Sequence, residues 1–196
     1  MQIILSSTSQ ARCTLMQRTR LDFASYAPNI DESLLENEKV NDAVKRLAIA
    51  KAKAAAPTHP HALIIGCDQL LKVNKRILGK PHTHENACKQ LRLCSKQLLY
   101  SYTGLCLYSS ATQTLQADVI IYQVQFKTLT EQMIERYLHL DQPYHCAGSI
   151  KAESLGFTLF NSMTGDDPTA LIGLPLITLN NFLKNEGAEI LKKNNK

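Results

Sequence analysis

Tryptophan is absent from this 196-residue chain, and its six cysteines include no C-x-x-C pair. That spacing excludes a zinc ribbon, and without a secretory signal a disulfide framework is not expected either. The thiols at 13, 67, 88, 94, 106 and 146 read as free, several on apolar faces where cysteine behaves as a small hydrophobe. No apolar run approaches the ~20 residues of a membrane-spanning helix. The opening Met1-Gln2-Ile3-Ile4-Leu5 lacks a basic region and turns polar at Ser6, unlike a signal peptide. A cytoplasmic protein is the expectation. Also missing are G-x-x-x-x-G-K-[ST], G-x-G-x-x-G and G-x-S-x-G, which argues against P-loop, dinucleotide-binding and serine-hydrolase chemistry.

What is present is ordinary globular composition, 44% hydrophobic and 20% charged. The length suits one compact domain, or two small lobes sharing a sheet. Charge is uneven: residues 1–98 carry 15 Lys and Arg against 8 Asp and Glu, the remainder 7 against 9. The basic half suits a polyanionic ligand. Its cations are dispersed, with no stripe and little interleaved aromatic content, so a long nucleic acid is not expected. The terminal Lys192–Lys196 reads as a frayed, solvated tail.

The pattern along the chain predicts strands at 2–6 and 23–27, then a helix over 10–18 capped by Ser7, Thr8 or Ser9. The clearest helix runs from Asn41 to Ala56, closed by Pro57. A strand buried on both faces follows at 62–67, and a helix from Thr83 to Cys94 carries Ala87, Cys88, Leu91 and Cys94 on one face. Strands at 97–109 and 115–126 flank a turn at Ala111–Thr114. A helix over Thr130–Leu138, a strand at Phe157–Phe160 and a last helix from Pro175 to before Gly187 complete the pattern. Crossovers together with a hairpin mean an α/β protein with a mixed sheet.

Four residues invite a chemical reading beside a bland one. Asp68, expected near the C-terminal end of the 62–67 strand, is a catalytic base or metal ligand, or it caps a turn. Arg12 follows Ser6-Ser7-Thr8-Ser9 into a helix, an anion cradle or a plain cap. Lys51 continues the apolar stripe Val44, Leu47, Ala48, Ala55 and either snorkels or enters a polar cavity, whereas Lys53 is off the stripe and solvated. Lys80 sits between Gly79 and Pro81 as an exposed lysine or an ordinary turn residue. Asp166-Asp167-Pro168 reads as a turn. The pairs His59/His61 and His82/His84 flank prolines, read as solvated, and take no role.

Together the segments Leu5-Ser6-Ser7-Thr8-Ser9-Gln10-Ala11-Arg12, Asp31-Glu32, Ala50-Lys51-Ala52 and Gly66-Cys67-Asp68-Gln69 resemble those of the Maf proteins in family order. So do Gly79-Lys80-Pro81, Tyr102-Thr103-Gly104, Cys146-Ala147-Gly148-Ser149 and Gly173-Leu174-Pro175. The resemblance covers nearly the whole chain. It implies one Maf-like domain over 1–196, a two-lobed elongated mixed sheet with flanking helices, similar to inosine triphosphatases, around a nucleotide cleft. It also implies a nucleoside triphosphate pyrophosphatase needing Mg²⁺, Mn²⁺ or Co²⁺, often dimeric, first linked to septum formation. By the same resemblance Asp68 is the proton acceptor, and Arg12, Lys51 and Lys80 hold phosphate with Ser7. Glu32 is then a catalytic or metal-associated carboxylate, with Asp68 as its partner toward the metal.

Gln69 after Asp68, with Lys151-x-Glu153, resembles the subgroup acting on 7-methyl-GTP, as opposed to the dTTP and UTP subgroup. A carboxylate at Glu153 can accept from guanine N1–H and N2–H₂. One departure stands out: Ala11 occupies a position where that subgroup often has Trp. Ala11 cannot stack on a cationic base, so selectivity is looser or comes from another aromatic residue. A second class stays open, a nucleotide-binding regulator of cell division without significant hydrolysis.

Overall fold

The computed structural model describes residues 2–192. The expected frayed tail, apart from Lys192, lies outside them. Seven strands form one mixed sheet in the order β2-β1-β3-β5-β6-β7, with β4 on β3. In chain order these are β1 (Gln2–Ser6), β2 (Ala24–Tyr26), β3 (Ala62–Val73), β4 (Arg76–Leu78), β5 (Leu98–Ser109), β6 (Thr114–Phe126) and β7 (Phe160–Thr164). The helices are α1 (Gln10–Gln17), α2 (Val40–Ala55), α3 (His84–Cys94), α4 (Glu131–Asp141), α5 (Thr169–Ile172) and α6 (Leu176–Asn185). None of the described helices is long and apolar enough to cross a membrane. The chain divides into two compact units, Met1–Gln69 with Thr103–Ile120 and Gly173–Lys196, and Leu70–Tyr102 with Ile121–Ile172.

In the first unit β1 lies between β2 and β3, parallel to both, with Ile4 opposite Ala24 and Ile64. Ile3, Ile4 and Leu5 are all buried, as expected of a strand covered on both faces. Ser9 caps α1 by accepting from the Arg12 N–H, which satisfies one of the unpaired donors at a helix start. The small residues Ala48, Ala52 and Ala55 of α2 pack with Ile4, Ile64 and Cys106. Gly66 lets the helix come that close: a Cβ there would collide with the Ala48 carbonyl and lie 2.7 Å from the Ala52 nitrogen. Gly104 does the same against the Val44 carbonyl. The sequence at α2 is thus matched to glycines in β3 and β5, and α2 is pressed onto the strands.

The second unit has its own core. Ala87, Cys88, Leu91 and Cys94 of α3 and Ile134, Tyr137 and Leu138 of α4 pack with Leu99, Val124 and Phe126. Phe126 meets Phe160 edge-on, with ring centroids 5.1 Å apart. Thr83 and Thr130 cap these helices from Oγ1, accepting from the N–H groups of Asn86 and Met133.

Several boundaries depart from expectation. The 62–67 strand continues to Val73, because Leu71 and Val73 keep a buried alternation and β4 pairs back on them through a turn at Asn74, which has a positive φ of 54°. Asp68 therefore lies inside β3 and not at its end. Phe157–Phe160 is not a strand: Leu155–Leu159 is 3-10 helix, since the Ser154 and Gly156 N–H groups both turn back to the Lys151 carbonyl. The strand begins only where Phe160 pairs with Phe126. α4 runs three residues beyond Leu138, Pro175 precedes α6 as its cap, and β4 and α5 are additions the pattern did not signal. The turn read at Asp166-Asp167-Pro168 leads directly into α5, with Asp167 Oδ1 accepting from the Thr169 N–H at 3.0 Å.

Because a Cβ at Gly66 has no room against helix backbone, Gly66→Ala is expected to destabilise the fold by about 2–3 kcal/mol. In a chain of this length that is a fall in Tm of roughly 5–10 °C. Thermal unfolding measures it; an unchanged Tm would refute the close packing of α2 on β3.

Candidate active site

Lys51 is the centre of the first unit's polar core. It sits on the buried face of α2, and its residue is only 5% exposed. Four methylenes carry its ammonium to Asp68 on β3, with Nζ 2.6 Å from Oδ1. The same nitrogen is 3.0 Å from Oε1 of Glu32. An ammonium taken from water needs such partners, and here two carboxylates supply them. Of the two outcomes open for Lys51, the structure therefore shows a buried polar setting and not snorkelling. Lys53 is exposed, as expected.

Asp68 reaches this position because β1 ends early. The parallel ladder stops at Ser6 opposite Gly66, so Asp68 stands just past its neighbour's last residue. The Ser6 hydroxyl then donates to the Lys51 carbonyl at 2.6 Å, tying the end of β1 to α2. Glu32 arrives on a loop fastened by Arg46, whose Nε and Nη2 each lie 2.7 Å from Glu38 while Nη2 also donates to the Ser33 carbonyl. That guanidinium, together with the Leu35 N–H, holds the Glu38 carboxyl down at about 2.

Arg12 extends from the first turn of α1. Its Nε donates to the Gly173 carbonyl at 2.9 Å, and Nη1 lies 3.4 Å from the Ser7 hydroxyl, which also accepts from the Ser9 N–H. Gly173 is left-handed at φ 119°, and a Cβ there would sit 3.5 Å from Arg12 Nε and 3.6 Å from Gln69 Oε1. Gln69 therefore flanks the same turn as Arg12. Cys67 donates its thiol proton to that Gly173 carbonyl at 2.9 Å, and burial pushes the thiol up to about 11. Ala11 is half-buried in α1 beside Arg12.

Ser7, Arg12, Glu32, Lys51, Asp68 and Gln69 thus belong to one unit, and Lys80 and Glu153 belong to the other. Both of the latter are exposed; burial pushes the nearby Cys146 thiol up, with Glu153 adding to the rise and Lys80 opposing it. The turn before Lys80 is held by the Gly79 carbonyl, which accepts from the Gly148 N–H and from Gln90 Nε2. Gln90 in turn accepts from Ser149. The segment bearing Glu153 is anchored by buried Asp141: Oδ1 accepts from Ser154 at 2.6 Å, Oδ2 from the Leu155 N–H, and its backbone carbonyl from Lys151 Nζ at 2.7 Å.

Sequence reasoning missed Cys67, Gly173, Arg46, Gln90 and Asp141. Gly173 meets Arg12 from 161 residues away, Cys67 adjoins Asp68, and Arg46, Gln90 and Asp141 brace turns 8 to 14 residues off. A glycine before a proline-started helix, as in Gly173-Leu174-Pro175, was the one local signal.

Two carboxylates against one ammonium leave surplus negative charge, and their oxygens are hard donors. Glu32 and Asp68 therefore fit a divalent cation such as Mg²⁺ or Mn²⁺.

The profile of the Maf-like protein family matches residues 2–186. A relative from Methylobacillus flagellatus, named 7-methyl-GTP pyrophosphatase, is 47% identical over 96% of this chain and 98% of its own. Another of that name, from Pseudomonas fluorescens, is 49% identical over 95% of this chain and 97% of its own. Among solved structures, a HAM1 protein from Coxiella burnetii matches 64% of this chain and 73% of its own at 16% identity, with a TM-score of 0.47; the likeness is partial. The chain belongs to the Maf-like protein family.

Removing the ammonium strands a buried carboxylate. Lys51→Met is expected to cost about 3–5 kcal/mol in urea unfolding. Adding Asp68→Asn should recover part of that loss, because an amide carries no charge to bury. A Lys51→Met variant as stable as the parent would contradict the pairing.

Proposed function

We propose that this protein is a nucleoside triphosphate pyrophosphatase that hydrolyses 7-methyl-GTP to 7-methyl-GMP and diphosphate. The observation that carries the reading is the convergence of Asp68 and Glu32 on buried Lys51 in a unit that also holds Arg12 at the start of a helix. Family membership and the name borne by relatives at 47–49% identity support the substrate.

In this reading Asp68 accepts the proton of a water that attacks the α-phosphorus. The P–O bond to the β-phosphoryl group breaks, and diphosphate departs with the electron pair. Negative charge grows on the non-bridging and leaving oxygens, so catalysis is positioning and charge stabilisation. Lys51 fixes the Asp68 carboxylate. Arg12 and the Ser7 hydroxyl hold phosphate oxygens near the first turn of α1, where the helix dipole favours anions. Lys80 contributes a further cation to the polyphosphate. Glu32 and Asp68 would hold the divalent cation, which when bound neutralises phosphate charge. Glu153 accepts from guanine N1–H and N2–H₂ and favours the positive charge that N7 methylation places on the base. Gln69, beside Asp68 and the Gly173 turn, borders the same substrate, and small Ala11 leaves stacking to another residue.

Product analysis with Mg²⁺ or Mn²⁺ and a panel of 7-methyl-GTP, GTP, dTTP, UTP and CTP tests the proposal. The expected result is diphosphate released chiefly from 7-methyl-GTP. A preference for dTTP or UTP would overturn the substrate, and binding without turnover would turn the protein into a regulator. Asp68→Asn is expected to lower kcat by about 10²–10⁴-fold with nucleotide binding retained; undiminished turnover would remove Asp68 as the base. Glu153→Gln should cut the preference for 7-methyl-GTP over dTTP by about 10–100-fold. An equal loss on every nucleotide would instead make Glu153 structural.

A further inference from the structure

Three metal-binding types of side chain meet between α3 and α4, and the nucleotide reading uses none of them. His84 and Cys88 lie one turn apart on α3, an i, i+4 pair on one face. Glu135 reaches them from α4. His84 Nε2 is 2.9 Å from Glu135 Oε2, Cys88 Sγ is 3.4 Å from Glu135 Oε1, and the three ligand atoms all lie within 4.8 Å of one another.

We infer that His84, Cys88 and Glu135 form a site for a thiophilic divalent cation, Zn²⁺ or Co²⁺, that cross-links α3 to α4. An imidazole nitrogen, a thiolate sulfur and a carboxylate oxygen are a zinc donor set with the fourth position open to water. The sulfur selects against Mg²⁺, which takes oxygen ligands in octahedral geometry. Zinc bond lengths place the ligand atoms of a tetrahedral site about 3.3–3.7 Å apart. The separations of 2.9 and 3.4 Å, to the two oxygens of Glu135, are close to that scale, and no pair of ligand atoms is more than 4.8 Å apart.

Two further features of the second unit fit this site. His84 Nδ1 lies 3.1 Å from the Tyr144 hydroxyl, the kind of outer hydrogen bond that orients a ligating imidazole and leaves Nε2 for the ion. The helices are also held together at a separate point, where Arg92 Nε and Nη2 pair with the Glu131 carboxylate at 2.8 and 2.7 Å. The ligands therefore need not draw the helices together. The His84 and Glu135 side chains are 47% and 55% exposed, whereas Cys88 is buried. A cation can enter from solvent and seat against the sulfur, displacing the thiol proton to water. As a bare surface ion pair, His84 and Glu135 would contribute little; the buried sulfur aimed at the same carboxylate is what makes this a pocket for a metal.

The test is a Co²⁺ titration of the metal-stripped full chain in excess Mg²⁺, which occupies the hard-oxygen sites, with a thiol-free reductant. The expected result is one ion bound per chain, with a near-ultraviolet thiolate-to-cobalt charge-transfer band that Zn²⁺ displaces. Cys88→Ser should abolish the band, keep the far-ultraviolet circular dichroism and leave Mg²⁺-dependent turnover unchanged. Tyr144→Phe should weaken Co²⁺ binding about tenfold. Zn²⁺ should raise the Tm of the parent and not that of Cys88→Ser. No band in the parent overturns the site, and a band that persists in Cys88→Ser assigns the metal to another thiol and overturns it too. If Cys88→Ser loses its fold, Glu135→Gln decides: an undiminished affinity for Co²⁺ refutes the assignment.

Discussion

The first unit is organised around one buried ammonium. Lys51 has been taken out of water, and that is tolerable only because Asp68 and Glu32 both reach it. Each part of the surrounding backbone makes this contact possible. Gly66 removes a side chain so that α2 can press onto β3, which brings Lys51 within reach of Asp68. β1 stops opposite Gly66, so that the strand edge beyond it is free of a parallel neighbour. Ser6, the last residue of β1, donates to the Lys51 carbonyl and fixes the helix at that height. Arg46, on the same helix, fastens the loop that delivers Glu32. Loosening any of these would leave charge buried without its partner, the costlier half of the bargain.

Much of this was legible from local pattern. The stripe Val44, Leu47, Ala48, Ala55 put Lys51 on the buried face, because helical periodicity fixes direction whatever the residue's polarity. The run Ala62–Ile65 announced a strand covered on both faces, and Ser9 announced the start of α1. What failed has a common cause. β3 runs to Val73 because β4 pairs with it, and β7 begins at Phe160 because Phe126 lies opposite; both limits are set across the sheet and not along the chain. Cys67 was invisible for the same reason: the carbonyl it donates to, Gly173, stands 106 residues away, and no spacing rule reports it. The partners of Asp141 are only 10 to 14 residues off, but they lie beyond its helix. His84 is the sharpest case: reading it as solvated beside proline was correct for exposure, yet its neighbours Cys88 and Glu135 come from the helix face and from another helix.

The second unit handles its candidate residues differently. Lys80 and Glu153 are exposed, so their side chains are not fixed by burial; the backbone beneath them is. Gly79 receives two hydrogen bonds, from Gly148 and Gln90, and the latter is itself held by Ser149. Asp141 uses both carboxylate oxygens and its own carbonyl on the 151–155 segment. A long side chain on a rigid turn can follow a ligand while its root stays put, which suits the roles proposed for these two residues. The buried residues of the first unit supply the opposite property, charge fixed in place by the fold itself.

Stability alone does not account for the Lys51 triad. A buried ion pair replaced by apolar residues of the same volume leaves a fold equally stable or more so, because desolvation offsets most of the Coulombic gain. The chain already has the apolar means to fill that space: Ala48, Ala52 and Ala55 show how α2 packs where no charge is needed. Other charged pairs, Arg46 with Glu38 and Arg92 with Glu131, stand where at least one partner keeps solvent contact and little is lost by desolvation. Lys51 and Asp68 are the exception, both below one-tenth exposed and both placed where local consistency would have chosen leucine or alanine. Such a departure from the packing rule is what a charge-handling site requires. The carboxylate at Glu32 supports that reading: its contact helps satisfy the ammonium, but its charge exceeds what neutrality needs and leaves a net negative site.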